Sequence, residues 1–261
     1  MARWIAGAAL LFALGAAQAA IKEEPVTYKD GATTLKGFLV FDDASKRPRP
    51  GMILAHEWWG ITKHMHNEAR RFARQGYAVF IADLYGDAKT ADNPKDAGAL
   101  MKSLLGDPAV VKSRFDAARN ELAKHSGVDA KRIGASGYCM GGTVVLNMAS
   151  AGEDLAAVAA FHPSLGGYKP AGKPIKAKVV VLNGADDPFN KPEAIDAFKK
   201  DMDKAKADYK FVNYPGAVHA FTNPEATAAG KKFNIPLAYN AKADKEAKAE
   251  ADKAFAAALK K

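Results

Sequence analysis

One short segment in the middle of the chain restricts the fold more than any other feature of the sequence. Gly137-Tyr138-Cys139-Met140-Gly141 lies between an apolar run typical of a strand and one typical of a helix. It matches the pattern glycine, any residue, nucleophile, any residue, glycine, with cysteine in the central position. Small residues flank such a turn because strand and helix pass closely there. The segment predicts a sharp strand–turn–helix connection that projects Cys139 above a sheet; a glycine-rich turn around a buried structural cysteine is the alternative.

Short apolar runs alternate with segments of helical periodicity on both sides of this turn. The runs expected to be strands are 52–55, 77–82, 132–136, 155–161, 178–182 and 210–214. This alternation predicts an α/β fold with a mostly parallel twisted sheet and helices on both faces. Because no linker or second composition regime interrupts it, we expect one domain over residues 20–261.

The two ends of this domain carry their own signals. Lys29-Asp30-Gly31 predicts a hairpin turn between strands at 26–28 and 35–41, and residues 47–51 are expected to form a loop. In the last twenty-one residues, small or apolar side chains recur every fourth position from Ala243 to Leu259. That spacing predicts a C-terminal helix docked on the body, with a detached charged tail as the alternative.

The N-terminus predicts export. Arg3 precedes an apolar run from Ile5 to Ala17, and Ala17-Gln18-Ala19 matches the small-residue pattern at which signal peptides are cleaved. The run is too short to span a membrane, which takes roughly twenty residues. We therefore expect residues 1–19 to be a signal peptide, with cleavage after Ala20 as the near alternative. The mature protein is expected to be periplasmic or secreted by a bacterium, without stable membrane insertion. An uncleaved anchor is the alternative.

Composition narrows the possible classes further. With 48% hydrophobic and 26% charged residues, the chain is neither disordered nor a multi-span membrane protein. The net charge of +9 comes from lysines interspersed with acids, which does not favour a nucleic-acid partner. A single cysteine excludes an internal disulfide, and an unpaired thiol in an exported protein is either buried or kept for its chemistry.

A cysteine nucleophile needs a base, and the base needs a carboxylate to orient it. In this architecture the chain order is nucleophile, acid, histidine. Asp187 follows the strand at 178–182, and His219 follows the strand at 210–214, so both lie at the edge of the sheet where ligand sites form. We predict that they complete the site with Cys139. Asp186 remains an adjacent alternative for the acid.

A second strand end adds a carboxylate and aromatic side chains. His56-Glu57-Trp58-Trp59-Gly60 follows the strand at 52–55, in the loop that normally donates the second oxyanion N–H group. Trp58 is therefore the expected donor, and Glu57 is placed to contact the thiol. A surface acid beside two packing aromatics is the alternative for Glu57.

Together these motifs resemble the dienelactone hydrolase family. The resemblance rests on Glu57, Gly-Tyr-Cys-Met-Gly-Gly at 137–142, Gly-x-x-Asp-Pro at 184–188 and Pro-Gly-x-x-His-Ala-Phe at 215–221. It implies an α/β-hydrolase fold and a Cys-Asp-His triad made by Cys139, Asp187 and His219. It also implies that Glu57 contacts the resting thiol and that the Met140 and Trp58 N–H groups form the oxyanion hole.

Two positions depart from the dienelactone-cleaving members, which use arginines to hold the substrate carboxylate. This chain has Gly86-Asp87 after Asp-Leu-Tyr, and Asn223 four residues after His219. We expect Trp59, with Tyr138 and Phe221, to contact a substrate of different chemistry.

The sequence thus predicts a hydrolase of small-molecule esters or lactones that forms an acyl-cysteine intermediate, needs no cofactor or metal and acts as a monomer. A non-catalytic small-molecule binding protein on the same fold is the alternative. A thiol redox sensor is disfavoured because no resolving cysteine exists. His64-x-His66 lacks a third ligand, so a solvated helix end is favoured over a metal site.

Overall fold

A computed structural model gives the structure of residues 20–44 and 47–260. The predicted signal peptide, residues 1–19, lies outside the described residues. Eight strands form one sheet, and in chain order they are β1 (Ile21–Asp30), β2 (Thr33–Asp42), β3 (Arg49–Ala55), β4 (Ala78–Ala82), β5 (Val128–Tyr138), β6 (Ala157–Phe161), β7 (Lys178–Gly184) and β8 (Tyr209–Tyr214). The helices are α1 (Lys63–Arg74), α2 (Pro94–Leu105), α3 (Pro108–Lys124), α4 (Met140–Ala151), α5 (Pro192–Lys204), α6 (Ala226–Phe233) and α7 (Ala241–Leu259).

The sheet is parallel except at one edge. Its strand order is β1-β2-β4-β3-β5-β6-β7-β8, and only β1 with β2 and β2 with β4 pair antiparallel. Strands β3, β4 and β6 are buried along their whole length because helices cover both faces of the sheet. This architecture confirms the predicted α/β-hydrolase fold.

Two hydrophobic cores lie on opposite faces of the sheet. On one face, α3, α4 and α5 bury side chains such as Phe115, Val144 and Phe198. On the other, α1 and α7 meet through Phe72 and Phe255, whose rings pack edge to face at 5.6 Å. The C-terminal segment is therefore a docked helix, as its spacing predicts, and not a detached tail.

The structure corrects several predicted boundaries. The hairpin turns at Gly31, as expected, but its strands are ten residues each, since both pair over their full length. The expected loop at 47–51 already contains the start of β3, where Arg49 and Pro50 pair with β5 before a bulge. Proline is tolerated at such a strand start. Helices α2 and α6 were not predicted.

Candidate active site

The turn that carries Cys139 has strained backbone geometry. Strand β5 ends at Tyr138, α4 begins at Met140, and Cys139 between them has φ 53° and ψ −117°. Residues other than glycine adopt positive φ at a cost that folds accept mainly at functional sites. A Cβ atom at Gly137 would lie 2.1 Å from the Gly141 carbonyl oxygen, and one at Gly141 would lie 2.2 Å from that of Ala55. Both glycines are therefore required by close backbone approach.

Three of the predicted residues meet at the carboxyl edge of the sheet. His219 Nε2 lies 3.0 Å from Cys139 Sγ, and His219 Nδ1 lies 2.7 Å from Asp187 Oδ2. The neighbouring Asp186 is exposed, whereas Asp187 is buried. Of the two candidate acids, the structure thus places Asp187 on the imidazole.

The surroundings of His219 favour its charged form. Burial alone would lower the pKa of His219, but the adjacent Cys139 and the hydrogen bond to Asp187 raise it to about 10. An imidazolium at this position can hold a thiolate by charge and hydrogen bond. The contact geometry therefore suits a cysteine that reacts as an anion.

Of the two expected oxyanion donors, Met140 directly follows Cys139 in the chain, and Trp58 lines the same cavity as Cys139. Met140 is the first residue of α4, so its N–H group has no partner within the helix and lies at the positive end of the helix dipole. The Tyr85 hydroxyl donates to the Trp58 carbonyl oxygen at 2.9 Å and lies 3.3 Å from Met140 Sδ. Tyr85 therefore connects the two segments. In the sequence, only the position of Tyr85 shortly after β4 could have indicated that it lies near the site.

An apolar cleft opens at Cys139. Its volume is about 170 Å³, and the residues that line it with Cys139 and His219 are Trp58, Met101, Ser164, Phe189, Ile235 and Leu237. Phe189 is 50% exposed, and its ring meets the His219 ring edge to face at 5.0 Å. The sequence did not point to Met101, Phe189, Ile235 or Leu237.

None of the three residues expected to contact substrate lines this cleft. Trp59 lines an adjoining cavity of about 200 Å³ that shares Leu237 with the cleft. Tyr138 and Phe221 line neither cavity, because both are fully buried on the α1–α7 face of the sheet. Tyr138 stacks on Phe161 at 4.5 Å. Only Trp59 among the three is thus near a space that a substrate can enter.

Glu57 is also placed differently from the expectation. Its carboxylate accepts hydrogen bonds from Asn223 Nδ2 at 3.0 Å and His64 Nδ1 at 3.3 Å, while the Cys139 thiol lies against His219. Glu57 is only 1% exposed. The expectation of a solvated helix end at His64 is wrong, because this residue is only 4% exposed and its imidazole bonds Glu57.

Two further histidines hold the loops of the site in place. His162 Nδ1 accepts a hydrogen bond from the Cys139 N–H at 3.1 Å, and His162 Nε2 donates to Thr222 Oγ1 at 2.8 Å. Burial and the nearby His219 keep the pKa of His162 well below its usual value, so the ring is neutral. His56 similarly joins the loop after β3 to the loop after β4 through the Leu84 N–H.

Between residues 20 and 260, apart from 45 and 46, no three His, Cys, Asp or Glu side chains are grouped so that they could hold a metal ion. Over the same described residues, no helix has the length and apolarity needed to cross a membrane.

Comparison with known proteins agrees with the sequence resemblance. The model of the dienelactone hydrolase family matches residues 35–259. Protein usf of Aquifex pyrophilus is 32% identical over 204 residues, which cover 76% of this chain and 86% of the relative. A Yersinia pestis protein named after carboxymethylenebutenolidase is 28% identical over 199 residues, covering 72% of this chain and 74% of that protein.

A solved structure extends the similarity to the fold. The crystal structure of a dienelactone hydrolase-like promiscuous phosphotriesterase from metagenomic libraries is 31% identical and superposes with a TM-score of 0.84. The alignment covers 92% of this chain and 99% of that one.

Proposed function

The chain belongs to the dienelactone hydrolase family of ester and lactone hydrolases, and we propose that it acts through Cys139, with His219 as base and Asp187 as the orienting acid. The observation that carries this proposal is the continuous contact from Cys139 Sγ through His219 to Asp187. A non-catalytic binding protein has no need of this arrangement on a strained turn.

In the first half-reaction the Cys139 thiolate attacks the substrate carbonyl carbon, forming an S–C bond and an oxyanion. The Met140 and Trp58 N–H groups stabilise this oxyanion. When it collapses, the C–O bond to the leaving group breaks, and the His219 imidazolium donates its proton to the departing oxygen. The products of this step are an acyl-cysteine and an alcohol. With an ester the alcohol leaves, and with a lactone its hydroxyl group remains part of the acyl chain.

In the second half-reaction His219 takes a proton from water, and the oxygen attacks the thioester carbonyl. The C–S bond then breaks, releasing the carboxylic acid and restoring the thiolate beside the imidazolium. Asp187 holds His219 Nδ1–H throughout, so that Nε2 faces the nucleophile. These two reaction steps require no metal or organic cofactor.

The charges around the cavities favour neutral acyl and leaving groups. The positions at which dienelactone-cleaving members hold a substrate carboxylate contain Gly86-Asp87 and Asn223 here, and Asn223 already bonds Glu57. The cavity beside the cleft is lined by two carboxylates, Asp92 and Glu225. A carboxylate on the substrate would meet negative charge without a bidentate arginine to offset it.

The test is steady-state hydrolysis of a neutral aryl ester and of a carboxylate-bearing lactone, combined with intact mass after brief exposure to the ester. We expect turnover of the neutral ester and a mass increase of one acyl group on Cys139. The Cys139→Ala variant should lose both, and the lactone carboxylate should be the poorer substrate. Equal turnover by Cys139→Ala and the wild type would refute the nucleophile, and wild type without turnover or added mass would favour the binding protein.

A second candidate activity is the hydrolysis of phosphotriesters. It is favoured by the similarity, at 31% identity, to a promiscuous phosphotriesterase. The same thiolate would attack phosphorus, form an S–P bond and expel an aryloxide. Release of nitrophenol from a nitrophenyl dialkyl phosphate, lost in Cys139→Ala, is the expected result; no release by the wild type contradicts this activity alone.

A further inference from the structure

A buried histidine outside the proposed catalytic set lies between two carboxylates. His64, on the first turn of α1, places Nδ1 3.3 Å from Glu57 Oε2 and Nε2 3.9 Å from Glu68 Oε1. The side chains of all three residues are at most 4% exposed. Carboxylates this deeply buried require a positive partner, since removing an unpaired charge from water is costly.

The geometry favours the doubly protonated ring. A neutral His64 that donates from Nδ1 to Glu57 would direct its Nε2 lone pair towards the Glu68 carboxylate. Nε2 has no hydrogen-bond partner within residues 20–44 and 47–260, whereas its protonated form is attracted by the carboxylate. Burial alone would lower the pKa of His64, but Glu57 and Glu68 raise it above its ordinary value. The titratable groups that face or act on His64 from the surrounding elements are Glu57, Glu68, Tyr138, His162 and Lys248.

Glu68 is itself held by further charges. Its carboxylate bonds Arg71 at 2.8 Å, Lys248 of α7 at 2.8 Å and the Tyr138 hydroxyl at 2.9 Å. These positive partners lower the pKa of Glu68 against the effect of burial, so it stays charged. His64 is thereby the link between this fixed cluster and Glu57.

Glu57 in turn joins two loops of the site. It directly precedes Trp58, one of the proposed oxyanion donors, and its carboxylate bonds Asn223, four residues after His219. The segment just before Glu57 is tightly packed. A Cβ atom at Gly141 would lie 2.2 Å from the Ala55 carbonyl oxygen and 2.7 Å from that of His56. A shift of the Glu57 side chain would therefore reach both the oxyanion donor and the base.

We propose that His64, as an imidazolium, is a positioning residue that holds Glu57 and thereby aligns the Trp58 amide and the His219 loop for the reaction at Cys139. This inference rests on the proposed function, because it assigns His64 a part in the same thiol chemistry. His64 does not touch the substrate cleft, so its effect is on the rate of the chemical step and not on substrate binding.

The experiment compares His64→Gln, His64→Leu and the wild type with a neutral ester over a range of pH. His66→Gln is the matched control, because His66 lies two residues along the same helix and pairs with Glu23 away from the cleft. We expect kcat to fall about 10- to 100-fold in His64→Leu, with KM little changed, because small misplacements of catalytic groups have effects of that size. Glutamine keeps a donor towards Glu57 without the charge, so His64→Gln should be intermediate.

The pH profile separates positioning by charge from mere packing. The kcat ratio of wild type to His64→Gln should be constant while His64 is protonated and shrink as pH rises through its raised pKa. Wild-type rates in both His64 variants, or a loss that is independent of pH and parallels a lower Tm, would overturn the proposal. If His64→Leu does not fold, the near-isosteric His64→Gln carries the test alone. A wild type without turnover or label on Cys139 would instead mark failure of the proposed function.

Discussion

At the scale of single residues, two adjacent carboxylates have different environments. Asp187 is buried and bonded to His219 Nδ1 at 2.7 Å, while Asp186 faces solvent. We predict that Asp187→Asn lowers kcat for a neutral ester by about 10³- to 10⁴-fold, because the amide no longer stabilises the imidazolium and the required tautomer. Asp186→Asn is the matched control and should keep wild-type kcat. The reverse outcome would reassign the acid to Asp186.

The charge on His219 predicts a pH dependence. Its pKa is raised to about 10 by Cys139 and Asp187, so the imidazolium persists through neutral and mildly alkaline pH and is lost as pH rises further. Alkyl esters, whose leaving groups need a proton, should therefore lose turnover above about pH 10, by about tenfold per pH unit. Aryl esters should lose less. Rates measured by pH-stat, with spontaneous hydrolysis subtracted, test this; an alkyl-ester rate that falls already near pH 7 would contradict it.

The residues of the site that sequence could identify are those fixed by chain order and strand ends. Cys139, Asp187 and His219 come together because they follow three parallel strands, β5, β7 and β8. Tyr138 and Phe221 were expected to contact substrate but are buried in the core on the α1–α7 face. Residues next to each other in sequence can point to opposite sides of a strand or turn, so proximity to Cys139 or His219 in the chain did not place them in the cleft. The partners of Glu57 could not be predicted, since His64 and Asn223 approach it from different elements.

At the scale of elements, part of the lining of the cleft at Cys139 comes from α2 and from the segment after α6, and neither helix was predicted. Met101 belongs to α2, and Ile235 and Leu237 directly follow α6. Helix α2 buries only Ala97 and Leu104, and α6 buries only Ala226 and Gly230. Helix α2 does have apolar side chains at helical spacing (97, 100, 101, 104 and 105), but proline and glycine residues in and around it are typical of a loop, and α6 is only eight residues long. These cleft-lining residues were therefore missed in the sequence, whereas the Cys139, Asp187 and His219 contacts could be predicted from the strand ends.

The connection between β5 and α4 gives a prediction at this scale. Alanine at Gly137 would place its Cβ 2.1 Å from the Gly141 carbonyl oxygen, so the helix must move. We expect Gly137→Ala to lower the free energy of unfolding by about 3 kcal/mol or more, at the upper end of overpacking costs, and to reduce kcat.

The matched control lies in α2. A Cβ at Gly98 would meet nothing within 4 Å, and α2 is an ordinary helix there. Gly98→Ala should therefore leave stability unchanged or raise it by up to about 1 kcal/mol. Urea unfolding followed by circular dichroism measures both changes. Equal stability of the two variants would contradict the prediction that Gly137 has no room for a side chain beside the Gly141 carbonyl oxygen.

At the scale of the whole molecule, the two hydrophobic cores lie on opposite faces of the sheet and contact different parts of the site. The core on the face covered by α3, α4 and α5 packs against the turn that carries Cys139, while the face covered by α1 and α7 carries the charged cluster around Glu68. The α/β class and the order of most strands along the chain were predictable because β3, β4, β6 and β7 each contain a continuous apolar run. The surroundings of His64 could not be predicted, because Glu68 beside it is held by Lys248 of α7, which lies 180 residues further along the chain.

Export is the remaining prediction for the whole chain. Strand β1 begins at Ile21, two residues after the predicted cleavage site, and pairs with β2 from that residue onward. Removal of residues 1–19 would thus leave every described element intact. We predict that the chain expressed with its own N-terminus in a Gram-negative host is recovered from the periplasm beginning at Ala20. A variant with the apolar run interrupted by Leu11→Arg should stay in the cytoplasm with Met1 or Ala2 at its N-terminus. Intact mass of each fraction measures both, and a wild-type protein that keeps residues 1–19 in the periplasmic or membrane fraction would show an uncleaved anchor instead.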